Sequence, residues 1–279
     1  MKFAAHMLLF NCQRTFLAAV ENCGPFVDRI YCAYSKEPWG YNPNAKNFFP
    51  NTFDLDILKR SKYYEKIALI EGNWDLEEDQ RNSCRVRAQE DGMDFLIIHD
   101  ADEFYTQRDY QRNIESIEKN PYFDVYKTPW CSYWKNLDWI IVNDKGEHVI
   151  GYPEFAINLK KEVSFVRARC VNSDNCYIID GLCHHLSYVL SDDEVWNKIN
   201  TWGHAHQFDQ NLWYKEKWLD WKPNSRNLHP VYPKAWRRAK KGHLEKPKAF
   251  DLVSMEGLFK TDSLSGKGLF SRLRKKISL

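Results

Sequence analysis

The sequence predicts an α/β chain built on a mostly parallel central sheet flanked by helices, followed by a mixed, aromatic-rich C-terminal half. Three observations carry that reading. Short apolar runs at residues 3–10, 30–34, 67–70 and 95–98 are each bounded by polar turns. The stretches between them have helical spacing. A 43% hydrophobic and 15% aromatic composition over 279 residues is enough to bury a large core. Alternating strand and helix marks βαβ units, whose ligand sites lie outside the carboxyl ends of the strands, near a change in strand order.

The first run leads into residues 12–23, where Phe16, Ala19, Val20 and Cys23 share one helical face and Gly24 is expected as the C′ terminator before Pro25. Residues 75–91 open with Asp75, Glu77 and Glu78, acids that suit the positive end of a helix, and close at Gly92, directly before the run at 95–98. Beyond about residue 120, the segments 126–134, 139–142, 163–166 and 177–179 read as short strands of an antiparallel or mixed extension. Ser191 followed by Asp192, Asp193 and Glu194 marks the start of a helix that continues to Asn200 or beyond.

Composition excludes several classes of function. Apolar runs such as Phe95-Leu96-Ile97-Ile98 stop far short of the roughly 20 residues a membrane helix needs, and the opening residues carry no secretory cleavage signal, so a cytoplasmic protein is expected. The eight cysteines are expected to be reduced and mostly buried. Cys176, Cys183, His184 and His185 lack the CxxC pair that would anchor structural zinc. No GxxxxGK[ST] and no GxGxxG occurs, which removes support for kinase-like and dinucleotide chemistry.

The net charge of +2 hides an uneven distribution, because residues 234–279 hold 13 Lys+Arg against 4 Asp+Glu. A domain over 1–233 with a basic extension over 234–279 is therefore expected. An acidic body argues against nucleic-acid binding, and the tail is expected to meet an anion. Within it, Leu269, Phe270, Leu273 and Ile277 fall near one helical side, with Arg272, Arg274, Lys275 and Lys276 elsewhere. That pattern suits peripheral contact with anionic lipid.

The chemistry concentrates in Asp94-Phe95-Leu96-Ile97-Ile98-His99-Asp100-Ala101-Asp102-Glu103-Phe104, a buried strand that ends in three carboxylates within four residues. Carboxylate oxygens are the ligands that hard divalent cations prefer. With Asn11-Cys12-Gln13-Arg14 after the first strand, Gln80-Arg81-Asn82 and Arg85 on the helix before the acidic segment, and Cys183-His184-His185-Leu186-Ser187-Tyr188 further on, the chain resembles the Asp-x-Asp glycosyltransferases of the GT-A fold, a Rossmann-like fold, and more closely their family-2-like members. The resemblance covers residues 1–206.

The resemblance implies a transferase that moves a sugar from a nucleotide-sugar donor to a glycan or lipid-linked acceptor. It further implies that Asp102 binds Mn²⁺ or Mg²⁺ bridging the donor diphosphate, with Asp100 on the metal or the ribose. His184 and His185 are the candidates for a further ligand; neighbours on a strand point to opposite faces, and His185 is favoured. Arg81 and Arg85, one helical turn apart, could face the diphosphate or the acidic strand end. Asn11, Tyr34 and Ser35 lie at the carboxyl edge where the family holds the nucleoside. For the base of an inverting displacement, Asp193 or its neighbour Asp192 is the first candidate and Glu154 the second. Trp130, Trp134, Trp139, Trp202 and Trp213 suit either a sugar platform or a core. Two other readings compete: a metal-dependent hydrolase using Asp100, Asp102, His184, His185, His204 and His206, and a non-catalytic carbohydrate- or nucleic-acid-binding module using the tryptophans and the tail.

Overall fold

The computed structural model describes residues 1–43 and 45–258, so the helix expected at 268–279 lies outside the described residues. The elements run in order β1 (Phe3–Leu9), α1 (Gln13–Cys23), β2 (Arg29–Tyr34), α2 (Ala45–Phe48), β3 (Ile67–Glu71), α3 (Glu77–Glu90), β4 (Phe95–Ile98), β5 (Glu103–Phe104) and α4 (Gln107–Lys119). There follow β6 (Val125–Lys127), β7 (Trp130–Trp134), β8 (Asn136–Val142), β9 (Ile150–Gly151), β10 (Glu154–Asn158), β11 (Phe165–Arg167), β12 (Cys170–Val171), β13 (Cys176–Ile178) and β14 (Cys183–Tyr188). The described chain closes with α5 (Asp192–Thr201), α6 (Gln210–Trp213) and β15 (Arg238–Lys241).

The central sheet has the order β13-β6-β10-β4-β1-β2-β3. Strands β1 to β4 are mutually parallel, while β10 runs antiparallel to both β4 and β6. Strand order reverses between β1 and β4, which places the crevice of this Rossmann-like sheet outside their carboxyl ends. A second sheet, β15-β8-β7-β14-β5, begins at that edge, because β5 follows β4 after the acidic turn.

Period-two alternation explains how the sheet is covered. On one face Ala5, Met7, Leu9, Cys32 and Ile97 pack with Phe16, Ala19, Val20 and Cys23 of α1; on the other, Ala4, Tyr31, Ala33, Leu96 and Ile98 pack with Cys84 and Ala88 of α3. Strands β1, β2 and β4 are buried on both faces, as their apolar runs require, while the edge strand β3 is partly exposed. A third cluster joins Trp134, Trp139, Trp213, Trp218 and Trp221 to Val195 and Ile199 of α5. Trp134, Trp139 and Trp213 are thus core and do not form a sugar platform.

The structure corrects several expectations. The run at 126–134 is two strands in different sheets, β6 and β7, parted at Thr128-Pro129, where proline cannot donate to a ladder. Gly24 does not end α1 in the left-handed region: it takes φ −54° and opens a 3₁₀ turn with Pro25. Glycine is needed there because a methyl group would overlap the Tyr63 ring. The boundary expected at 233 is no break in the fold, since β15 pairs with β8 and Ala249, Phe250, Val253 and Leu258 enter the main core. The basic residues of 234–258 decorate the surface of an integrated segment. Among the described residues no helix is long and apolar enough to cross a membrane.

Replacing Gly24 with alanine is expected to cost about 1–3 kcal/mol, the usual penalty for overpacking. Urea unfolding measures it, and an unchanged midpoint would contradict the close approach of Tyr63.

Candidate active site

The acidic segment sits on the turn between the two sheets. The Asp100 carbonyl accepts the Glu103 N–H at 2.9 Å, and the Asp102 carbonyl accepts the Leu186 N–H at 2.7 Å, which ties the turn to β14. Register then places His185 opposite Glu103 and His184 opposite Phe104.

Two arginines hold the turn from opposite sides. Arg81 of α3 grips Asp100 with two parallel bonds of 3.0 and 2.8 Å, and its remaining donors reach Glu77 at 2.9 Å and His6 at 3.0 Å. Arg169, at the tip of the β11–β12 hairpin, forks onto fully buried Glu103 and reaches Asp100 at 3.4 Å and the Glu154 carbonyl at 2.7 Å. Ala168 beside it takes φ +48° and donates its N–H to Glu78 at 2.8 Å, which fixes the tip against α3. Burial alone would raise the Asp100 carboxyl, but Arg81 and Arg169 outweigh it and hold that group well below the usual carboxylate range. For Glu103 burial is the larger influence and pushes the carboxyl up, with Arg169 pulling against it.

Asp102 has a different setting. Its side chain is 25% exposed, with Lys198 Nζ of α5 at 3.3 Å and His185 Nε2 at 3.7 Å. Burial would raise its carboxyl, yet Lys198 and then His185 bring it below the ordinary value. Burial also drives His185 down to about 4, so its imidazole is neutral near pH 7. The His185 ring stacks on Trp130, 4.2 Å between centroids and 6° from parallel, and Arg169 lies 5.7 Å from the ring centroid of that indole. A methyl group on Gly151, which pairs with Trp130 in the sheet, would overlap the indole, so glycine there makes room for the stack.

The remaining candidates fall into two groups. His184 points away, its Nδ1 at 2.8 Å from the Tyr133 hydroxyl, as strand alternation predicts. Arg85 does not join Arg81; it binds Asn82 at 3.1 Å and Gln89 at 2.6 Å along its own helix. Both oxygens of Asp100 accept from guanidinium groups. Asn11, at φ +50°, is consumed as a loop organiser: its amide oxygen accepts from Thr52 N at 2.6 Å and its nitrogen donates to Asn197 at 3.0 Å. Tyr34 is buried at the carboxyl end of β2, and the Ser35 hydroxyl is turned onto the Glu37 carbonyl at 2.7 Å. The Glu154 carboxylate faces Lys127 at 3.6 Å, while its carbonyl serves Arg169. Asp192 accepts from the Trp218 indole at 2.8 Å, leaving Asp193 exposed in the first turn of α5.

Sequence reasoning missed Arg169, His6 and Lys198. Lys198 carried a signal, since it follows Glu194 by one turn and falls on the inward side of a helix with buried Val195 and Ile199. Arg169 carried none, because a hairpin tip has no periodicity to show which way a side chain turns.

A divalent cation fits this chemistry in part. Among the described residues no group of three His, Cys, Asp or Glu is arranged to hold a metal ion. Asp102 and neutral His185 nevertheless converge, and magnesium-like ions are usually held by one or two protein groups together with substrate phosphates.

No family model and no curated protein matches the chain. Among solved structures it is similar to 4-diphosphocytidyl-2C-methyl-D-erythritol synthase from Anaerococcus prevotii DSM 20548, at 12% identity over 70% of this chain and 94% of that one, TM-score 0.40. It is also similar to S. aureus TarS 1-349, at 10% identity over 74% of this chain and 68% of that one, TM-score 0.41. Against S. aureus TarS the identity is 9% over 70% of this chain and 38% of that one, TM-score 0.41.

Removing Arg169 strands a buried carboxylate, so Arg169→Leu is expected to cost about 3–5 kcal/mol, with most of it recovered in the Arg169→Leu/Glu103→Leu double variant. Equal losses in the single and double variants would contradict the pairing. Burial also lowers His6, and takes His99 and His184, like His185, to about 4. As pH falls below about 6.5 the unfolded chain binds protons that the folded chain refuses, so stability declines toward pH 4. The urea midpoint is expected to fall through that window, and less steeply in His184→Phe; an equal slope in the variant would contradict it.

Proposed function

We propose that this chain is a metal-dependent glycosyltransferase of the GT-A type, moving a sugar from a nucleotide-sugar donor to a glycan or lipid-linked acceptor. One observation carries the reading. At the carboxyl edge of a parallel sheet, beside the β1/β4 switch point, partly exposed Asp102 converges with a neutral His185 and has no arginine partner among the described residues, while the neighbouring Asp100 and Glu103 are locked to arginines. That arrangement separates a turn held by arginines from a pair whose only cationic partner, among those residues, is the mobile ammonium of Lys198.

On this reading Asp102 and His185 hold Mn²⁺ or Mg²⁺. A cation held there would supply Lewis-acid stabilisation of the departing diphosphate, on the order of 4 kcal/mol per unit-charge pair at about 4 Å and an effective dielectric near 20. Arg81 and Arg169 act through Asp100 and Glu103 as positioning residues, keeping the turn in place without reorganisation during the reaction. Trp130 orients the imidazole by stacking. For an inverting displacement the acceptor hydroxyl must lose a proton, and Asp193 is the base we propose. It lies one helical turn before Asn197, whose side chain meets Asn11 at the end of β1, so that face of α5 borders the crevice. Peripheral membrane contact through the C-terminal tail remains part of the proposal, as an arrangement suited to a lipid-linked acceptor.

The test is thermal stability with a panel of nucleoside diphosphates and nucleotide sugars, with and without Mn²⁺, because a ligand selective for the folded state raises stability with its concentration. A metal-dependent shift for one nucleotide, lost in Asp102→Asn and retained in Arg85→Ala, is the expected result. Absence of any nucleotide shift would overturn the transferase reading in favour of a hydrolase or binding module.

A further inference from the structure

The crevice contains three cations within reach of its carboxylates, and they differ in how far they are spoken for. Every donor position of Arg81 is taken by Glu77, Asp100 or His6. The guanidinium of Arg169 is likewise divided among Glu103, Asp100 and backbone carbonyls of Glu154 and Ile98. Neither can turn to a substrate without abandoning a carboxylate that is largely or wholly buried, which is costly. Lys198 is the exception. Its ammonium uses two of three donors, on Ser187 Oγ at 2.7 Å and Asp102 at 3.3 Å, and its side chain is 26% exposed.

Lys198 also stands where it must respond to a bound cation. Its partner Asp102 is the carboxylate that the metal reading assigns to the ion, and an ammonium and a dication sharing one carboxylate repel each other. The four-carbon stem lets the charge move while its Cα stays on α5.

We propose that Lys198 is a diphosphate-binding residue that neutralises Asp102 in the protein alone and transfers its ammonium to the donor diphosphate when a divalent cation takes Asp102. The inference rests on the transferase reading and deepens it by naming a side chain that touches the leaving group. Ser187, the other partner, is the pivot that keeps the ammonium at the crevice during the exchange. The charge balance then closes on the protein side, with each buried carboxylate matched by an arginine and the mobile ammonium left for substrate.

The experiment compares wild type, Lys198→Met and Lys198→Arg by two measurements: electron paramagnetic resonance titration of Mn²⁺ alone, and calorimetric titration of nucleoside diphosphates in saturating Mn²⁺. Lys198→Met is expected to tighten Mn²⁺ binding several-fold, because the competing charge is gone, and to weaken diphosphate binding about tenfold or more, the size of a lost charged hydrogen bond. Lys198→Arg should keep most of the diphosphate affinity. The opposite signs separate this role from a structural one, which would weaken both. A folded Lys198→Met protein with unchanged diphosphate affinity, or with both affinities reduced together, overturns the inference while wild-type binding leaves the transferase reading standing. No diphosphate binding by wild type overturns both.

Discussion

The arrangement depends on one interaction, the clamp of Arg81 and Arg169 across Asp100 and Glu103. A turn that leaves a buried strand with three carboxylates in four residues would otherwise repel itself and pull water into the core. Two guanidinium groups, one from α3 and one from a hairpin formed more than sixty residues later, neutralise partly buried Asp100 and wholly buried Glu103. The third, Asp102, is as exposed as Asp100, but its partners are Lys198 and a neutral His185 in place of an arginine. The clamp is a poor source of net stability, since desolvating such groups offsets most of their attraction. Its worth is geometric: it fixes which carboxylate is presented to the crevice.

The same clamp explains why two sheets meet here. β4 ends the parallel sheet at its switch point, and β5, two residues long, starts the second sheet by pairing with β14. His185 arrives on β14 opposite Glu103, so one register sets both the buried anchor and the Asp102–His185 pair proposed to bind metal. Trp130 on the adjacent β7 closes the arrangement, stacked on the imidazole and in contact with the Arg169 guanidinium. The proposed transferase chemistry therefore draws on residues from both sheets, α3, α5 and a hairpin, each positioned by a local rule of strand alternation, helix spacing or turn conformation.

The parallel half of the fold was legible because its strands are continuous apolar runs between strong helix signals. β1, β2, β3 and β4 fall within a residue of their expected positions, and the capping box at Ser191 and Glu194 marks α5. The second half was less so. β6 and β7 merge into one aromatic run, and sequence reasoning missed the β10 strand at Glu154–Asn158 and the α4 helix, although Thr106 and Asp109 mark the start of α4 and Tyr110, Ile114 and Ile117 share its buried face. At the site, alternation required only that His184 and His185 point to opposite faces, and the structure turns His185 to Asp102 and His184 to Tyr133. Asn11 and Arg85 misled because position at a strand end or on a helix face does not say whether a side chain's hydrogen bonds are already taken. Arg169 was invisible for the converse reason: its partners are distant in sequence and only tertiary folding brings them together.

The most direct measurement of the central claim is a crystal structure determined with Mn²⁺ and a nucleoside diphosphate, using anomalous scattering to locate the metal. The account predicts a peak bound by Asp102 and His185 Nε2, with Asp100 still gripped by Arg81 and Arg169. A metal bound by Asp100 with the arginine clamp released, or a peak remote from this turn, would contradict it.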